Sequence, residues 1–176
     1  MGIICFSHLR WNFVYQRPQH LMSRMAKHFD VLFVEEPFFD ADTGYLDTRK
    51  EQENLWIIVP HLPAGLNQEE AGKQVDQLLN DYLSKHNLNG SIAWYYTPMA
   101  YRPETVFNAD LVIYDCMDEL SAFRFAPPSL KEKEKELMER ADIVFTGGYS
   151  LYEAKKDNHL NIHLLESSID TAHFGV

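Results

Sequence analysis

Two kinds of hydrophobic pattern alternate along this chain. Short, mostly apolar runs occupy residues 3–6 (Ile, Ile, Cys, Phe), 30–37, 55–60, 91–96, 111–114, 143–146 and 162–165. Runs of this length without polar alternation predict strands covered on both faces, as in a parallel sheet. Between them, apolar residues return at helical spacing. Pro18 suits a first helical position, and Leu21, Met22, Met25 and Phe29 follow on one face. Asn67 with Glu70 marks a second helix start, continued by Ala71, Val75, Leu78, Leu79 and Tyr82 to about Lys85 and stopped by Asn87 to Gly90. A short crossover helix is expected over 100–108, another helix from Pro127 and Pro128, and a last one from about Ser150. Residues 38–54 read as a long loop or a partial hairpin. Seven strands separated by helices predict an α/β doubly wound, mostly parallel sheet of about seven strands.

In such sheets ligands sit outside the carboxyl ends of the strands. The connector after the first strand is rich in chemistry, with Ser7, His8, Arg10, Trp11, Tyr15 and Arg17, and with His20 one turn into the helix. Arg17 and His20 at a helix N-terminus suit a phosphate or carboxylate; alternatively, Arg17 pairs with Glu35 or Glu36 at the neighbouring strand end. Trp11 and Tyr15 suit stacking on a sugar face, or folding of the loop onto the core. Tyr96 and Thr97 close the fourth strand. Asp115 and Asp118 follow the fifth, where a carboxylate can orient or deprotonate an acceptor hydroxyl, or cap the next turn. Asp118 with Glu119 lacks a third ligand at metal spacing. Gly147, Gly148 and Ser150 suit a phosphate cradle, or a tight strand-to-helix turn. Of the remaining histidines, only His61 sits at a strand end.

Composition narrows the classes. The chain has 176 residues, 45% of them hydrophobic, enough for one core. A formal net charge of −10 and a pI near 5.2 argue against a nucleic-acid partner. Cys5 and Cys116 lie inside strand runs without a CxxC spacing, as buried thiols of a reduced compartment do. The start lacks the cationic region of a signal peptide, and no apolar stretch approaches the ~20 residues of a membrane helix. A cytoplasmic location follows as the expectation, with peripheral contact at the inner face of the membrane left open. The Lys-Glu alternation over 131–136 sets Glu132/Lys135 and Lys133/Glu136 three apart on a solvated helix face.

Three segments carry a family resemblance: Trp11 through Arg17-Pro18-Gln19-His20-Leu21 with Arg24 and Ala26; residues 111–120 followed by Ala141-Asp142-Ile143-Val144-Phe145-Thr146 and Gly148-Tyr149-Ser150; and Glu166-Ser167-Ser168-Ile169-Asp170-Thr171-Ala172-His173-Phe174. Together the chain resembles the Rossmann-like N-terminal half of a two-domain GT-B glycosyltransferase of the group 1 (family 4) class. The first motif is similar to that of a bacterial subset linked to surface-polysaccharide assembly, some beside or fused to UDP-galactopyranose mutase. The resemblance implies an acceptor-side domain over 1–170, and over 171–176 the start of a crossover to a donor-binding domain. It also implies hexosyl transfer from a nucleotide-sugar donor (a UDP- or GDP-sugar) to a glycan or lipid-linked acceptor, with retention and with neither cofactor nor bound metal. The chain alone would then be inactive. Two departures stand out: residues 7–11 have no glycine where many relatives carry a Gly-rich loop, and Tyr96-Thr97-Pro98 stands where many carry a His near the donor sugar. A dinucleotide-binding oxidoreductase domain needs G-x-G-x-x-G after the first strand, and the chain has none. A stand-alone sugar- or protein-binding module without catalysis is the alternative.

Overall fold

A computed structural model of the chain describes residues 2–86, 90–103, 109–168 and 175. Eight strands form one sheet in the order β3-β4-β2-β1-β5-β6-β7-β8. They are β1 (Gly2–Ser7), β2 (Asp30–Glu35), β3 (Tyr45–Gln52), β4 (Leu55–His61), β5 (Gly90–Tyr95), β6 (Leu111–Cys116), β7 (Ile143–Thr146) and β8 (Ile162–Leu164). All neighbours pair parallel except β3 with β4. The seven apolar runs are the seven parallel strands. The additional strand, β3, falls in the stretch read as a loop or partial hairpin. Exposed at the sheet edge and carrying Asp47, Arg49, Lys50 and Glu51, it has no apolar run to reveal it.

Helices cover the sheet from both sides. On one face α2 (Gln68–His86) buries Ala71, Val75 and Leu79, and α3 (Leu130–Arg140) buries Leu137 and Met138. On the other, α1 (Arg17–Met25) buries Met22 against Ile3, Phe33 and Ile57. Each of the buried Val, Leu and Met side chains contributes about 1.5–3 kcal/mol. The last helix is α4 (Tyr149–Lys155).

Local chemistry sets the helix ends. Asn67 and Glu70 form the reciprocal cap of α2: Asn67 N–H donates to Glu70 Oε2 (2.9 Å) and Glu70 N–H to Asn67 Oδ1 (3.0 Å). In α1, Gln16 N–H donates to Gln19 Oε1 (3.1 Å), and the helix begins one residue before Pro18. Helix α3 starts at Leu130, past both prolines: residues 127–129 form a turn closed by Leu130 N–H on Pro127 O (3.0 Å). Of the crossover helix expected over 100–108, residues 104–108 lie outside the described ones. Before them Pro98–Ala100 makes one 3-10 turn capped by Thr97.

Strand β1 lies between β2 and β5. The chain leaves β1 toward β2 on one side and later fills β5 through β8 on the other. A crevice is therefore expected beside the carboxyl end of β1.

Candidate functional site

A cleft of about 430 Å³ lies at that place. Phe6 and Ser7 end β1 in it, Glu35, Glu36, Pro37 and Phe39 bring in the end of β2, and Thr97 and Met99 follow β5. Helix α2 supplies Gln68 and Gly72. A Cβ on Gly72 would stand 2.9 Å from Cδ of Arg102. The missing side chain lets Arg102 lie across the helix, where Asp76 clamps it: Nε reaches Oδ2 at 2.6 Å and Nη2 reaches Oδ1. A larger groove of about 630 Å³ takes its lining from α2, α3 and residues 99–103 rather than from strand ends. Its walls are paired surface charges such as Lys133–Glu136 (2.8 Å), so the smaller cleft is the better candidate.

Glu35 organises the connector after β1. Its Oε1 accepts the Trp11 N–H (2.8 Å) and its Oε2 accepts from Arg10 Nη1 (3.0 Å), which also donates to the Glu36 carbonyl (2.6 Å). Gln19, fully buried, holds the same connector from below, with Nε2 donating to the carbonyls of Trp11 (3.0 Å) and Val14 (3.1 Å). Trp11 is buried, packed edge-on against Phe33 at 5.0 Å. Of the two readings of Trp11, stacking on a sugar face or folding onto the core, the buried ring fits the second. Tyr15 stays at the surface, edge-on to His20 at 4.5 Å.

Arg17 pairs with neither Glu35 nor Glu36; Arg10 takes the Glu35 carboxylate and the Glu36 backbone carbonyl. Its Nε donates to Asp115 at 2.9 and 3.1 Å, Nη2 lies 2.9 Å from the same carboxylate, and Nη1 donates to the Leu165 carbonyl (2.5 Å). Asp115 is fully buried; Tyr96 and Trp94 stand beside it, short of full hydrogen-bond geometry. Burial pushes the Asp115 carboxyl above its usual range, and Arg17 pulls it part of the way back. A carboxylate enclosed in this way does not reach an acceptor hydroxyl, so Asp115 positions Arg17 instead. Arg17 and His20 do border a small pocket of about 270 Å³, with Arg24, Leu165 and residues 166–168.

His8 follows β1 and Asp118 follows β6, near enough for the Asp118 charge to act on the imidazole. Burial pushes the His8 imidazole below its usual 6.5, while the Asp118 charge and the Tyr96 carbonyl oppose that shift. The ring is neutral at pH 7. The Asp118 loop is pinned from the side: Lys155 Nζ lies 2.9 Å from Glu119 Oε2 and 2.9 Å from both oxygens of Glu134. Burial disfavours that ammonium, but hydrogen bonds to Glu134 and Glu119 outweigh it and leave the Lys155 pKa raised.

Ser7 and Thr97 line the cleft, but both hydroxyls also brace backbone, Ser7 at Leu9 (3.0 Å) and Thr97 at Met99 (3.3 Å). Tyr96 is buried. Gly147 is explained by packing, since a Cβ there would stand 2.9 Å from Met117 Cα; Gly148 faces open space and Ser150 is exposed. Glu35, Glu36, Phe39 and Arg102 were not singled out as site residues from the sequence. The Glu-Glu-Pro ending of β2 was the available signal; the Arg102–Asp76 clamp, between distant positions, left none. Among the described residues no group of three or more His, Cys, Asp or Glu stands ready to hold a metal, and no helix is long and apolar enough to cross a membrane.

No family model matches the chain, and no curated protein does. Solved structures do. A sucrose-phosphate synthase from Thermosynechococcus elongatus superposes with a TM-score of 0.68 at 11% identity, over 100% of this chain and 53% of that one. A trehalose-phosphate synthase from E. coli, bound with UDP-2-fluoro glucose, gives 0.65 at 11% identity, over 98% and 50%. The catalytic domain of starch synthase IV from Arabidopsis thaliana, bound to ADP and acarbose, gives 0.55 at 10%, over 98% and 52%. The chain spans about half the length of these structures. Its fold is that of a GT-B Rossmann-like domain.

Proposed function

We propose that this chain is the acceptor-side lobe of a glycosyltransferase that moves a hexosyl unit from a nucleotide-sugar donor to a glycan or lipid-linked acceptor. The observation that carries the reading is the open cleft beside the carboxyl end of β1, in a fold otherwise seen here in enzymes that use sugars and nucleotides. A second lobe, matching the other half of those structures, would close over the rim and hold the donor nucleotide. The acceptor would enter through the cleft. Asp118 would accept the hydrogen bond of the attacking hydroxyl, with neutral His8 beside it as a second polar contact for either sugar. Retention requires attack on the face the leaving phosphate occupies. The phosphate itself then takes the proton, and Asp118 orients the hydroxyl rather than removing its hydrogen. Contact of the protein with a membrane surface belongs to the same reading only where the acceptor is lipid-linked.

The test is a thermal-shift screen of the two-lobed protein against UDP-glucose, UDP-galactose, GDP-mannose and ADP-glucose. Selective binding raises the midpoint by mass action. A shift with one sugar nucleotide and not with its free base supports the reading; no shift with any nucleotide sugar removes it.

A further inference from the structure

The carboxyl end of β4, one strand beyond the cleft, carries a preset arrangement that the proposed transfer does not use. Residues 38–41 are tied to it by backbone bonds: Phe38 N–H to Pro60 O (2.9 Å), Leu62 N–H to Phe38 O (2.8 Å) and Ala41 N–H to Leu62 O (3.2 Å). His61 sits beneath, its side chain only 16% exposed. The Tyr45 ring lies parallel to the imidazole at 4.7 Å and 4°. His61 Nδ1 is 2.7 Å from Asp40 Oδ1. Thus one histidine fixes both an aromatic ring and a carboxylate. Tyr45 is 49% exposed, Phe39 48% and the Asp40 side chain 55%. His61 covers one face of the Tyr45 ring. Phe39 also lines the cleft, so the two surfaces are continuous. Phe38 anchors the platform, with the Arg10 guanidinium over its ring at 4.0 Å.

We propose that Tyr45, Phe39 and Asp40 form a subsite for a neutral pyranose unit of a glycan, leading into the cleft. A pyranose presents a flat C–H face and an edge of hydroxyls. The ring takes the first and the carboxylate accepts from the second, and because His61 holds both, little side-chain freedom is lost on binding. Charge selects against phosphorylated or acidic sugars at the exposed Asp40 carboxylate, on a chain with a net charge of −10; Glu35 is already taken by Arg10. Only the word acceptor rests on the transferase reading; glycan binding at this surface does not.

The experiment titrates the ¹⁵N-labelled chain with maltotriose and cellotriose, and with glucose 6-phosphate as the charged control. Amide shifts at residues 38–45 and 61 with a neutral trisaccharide, and none with the phosphate ester, are expected. Tyr45→Ala should weaken that binding roughly fivefold, while Tyr45→Phe, which keeps the ring, should bind as the wild type does. The spectrum of each variant reports its folding directly. No shift at these amides up to about 20 mM of either trisaccharide overturns the subsite, as does equal affinity in Tyr45→Ala. Either result leaves sugar transfer by the two-lobed protein untouched. Binding here without any transfer would instead keep the subsite and remove the transferase reading.

Discussion

Arg17 and Asp115 show how one buried pair removes two residues from the chemistry they suggest in sequence. A guanidinium at a helix start and an aspartate at a strand end both point to a ligand. In the structure they satisfy each other, with Leu165 taking the remaining donor. Breaking a buried pair leaves one charge uncompensated, so Arg17→Met should cost about 3–5 kcal/mol in urea denaturation, and the double change Arg17→Met with Asp115→Leu should recover much of it. His8 makes a pH-dependent prediction. Its folded pKa lies below the unfolded 6.5, so in the window between the two the unfolded chain binds more protons and stability falls as pH drops. Compared with the wild type, His8→Gln should show a shallower loss of urea midpoint between about pH 7 and pH 5. Parallel curves for the two proteins would contradict the half-buried, neutral placement of the ring.

At the scale of elements, the strands inside the sheet and the start of α2 were legible, while the edge strand β3, the start of α3 and the loop partnerships were not. The apolar runs mark β1, β2 and β4 through β7 because those strands lie inside the sheet; β8 carries such a run although it is an edge strand and mostly exposed. Asn67 and Glu70 mark α2 because a capping box needs side chains three apart. Strand β3 was hidden because an edge strand needs no apolar run. Pro127 and Pro128 misplaced the start of α3 because proline suits a turn as well as a first helical turn. The β7–α4 turn offers a clean comparison between adjacent glycines. Gly147→Ala would drive a Cβ into the backbone of Met117, which cannot move aside as a side chain would, so about 1–3 kcal/mol of destabilisation is expected. Gly148 has extended backbone and open space, and Gly148→Ala should change the unfolding midpoint little. Equal losses at both positions would mean that the turn needs conformational freedom rather than close approach.

For the whole molecule, the rim expected from strand order is present, but it is less open than its residue types imply. Ser7, His8, Thr97 and Asp118 gather at the carboxyl edge, whereas Trp11, Arg17, Tyr96 and Asp115 are folded into its support. Spacing along the chain places a residue at a strand end; it does not say whether a distant partner has claimed the side chain. Glu35 claims Arg10 and the Trp11 amide from 25 and 24 residues away, and Asp115 claims Arg17 from 98. What remains for the proposed sugar contact is the cleft, His8 and Asp118. Turnover therefore tests the account most directly. Nucleotide release by the two-lobed protein should be measured for wild type and Asp118→Asn, with unfolding midpoints recorded alongside. The account predicts release from one nucleotide sugar, lowered at least about tenfold by Asp118→Asn at an unchanged midpoint. Equal rates in the two proteins, or no release from any nucleotide sugar by the wild type, would contradict it.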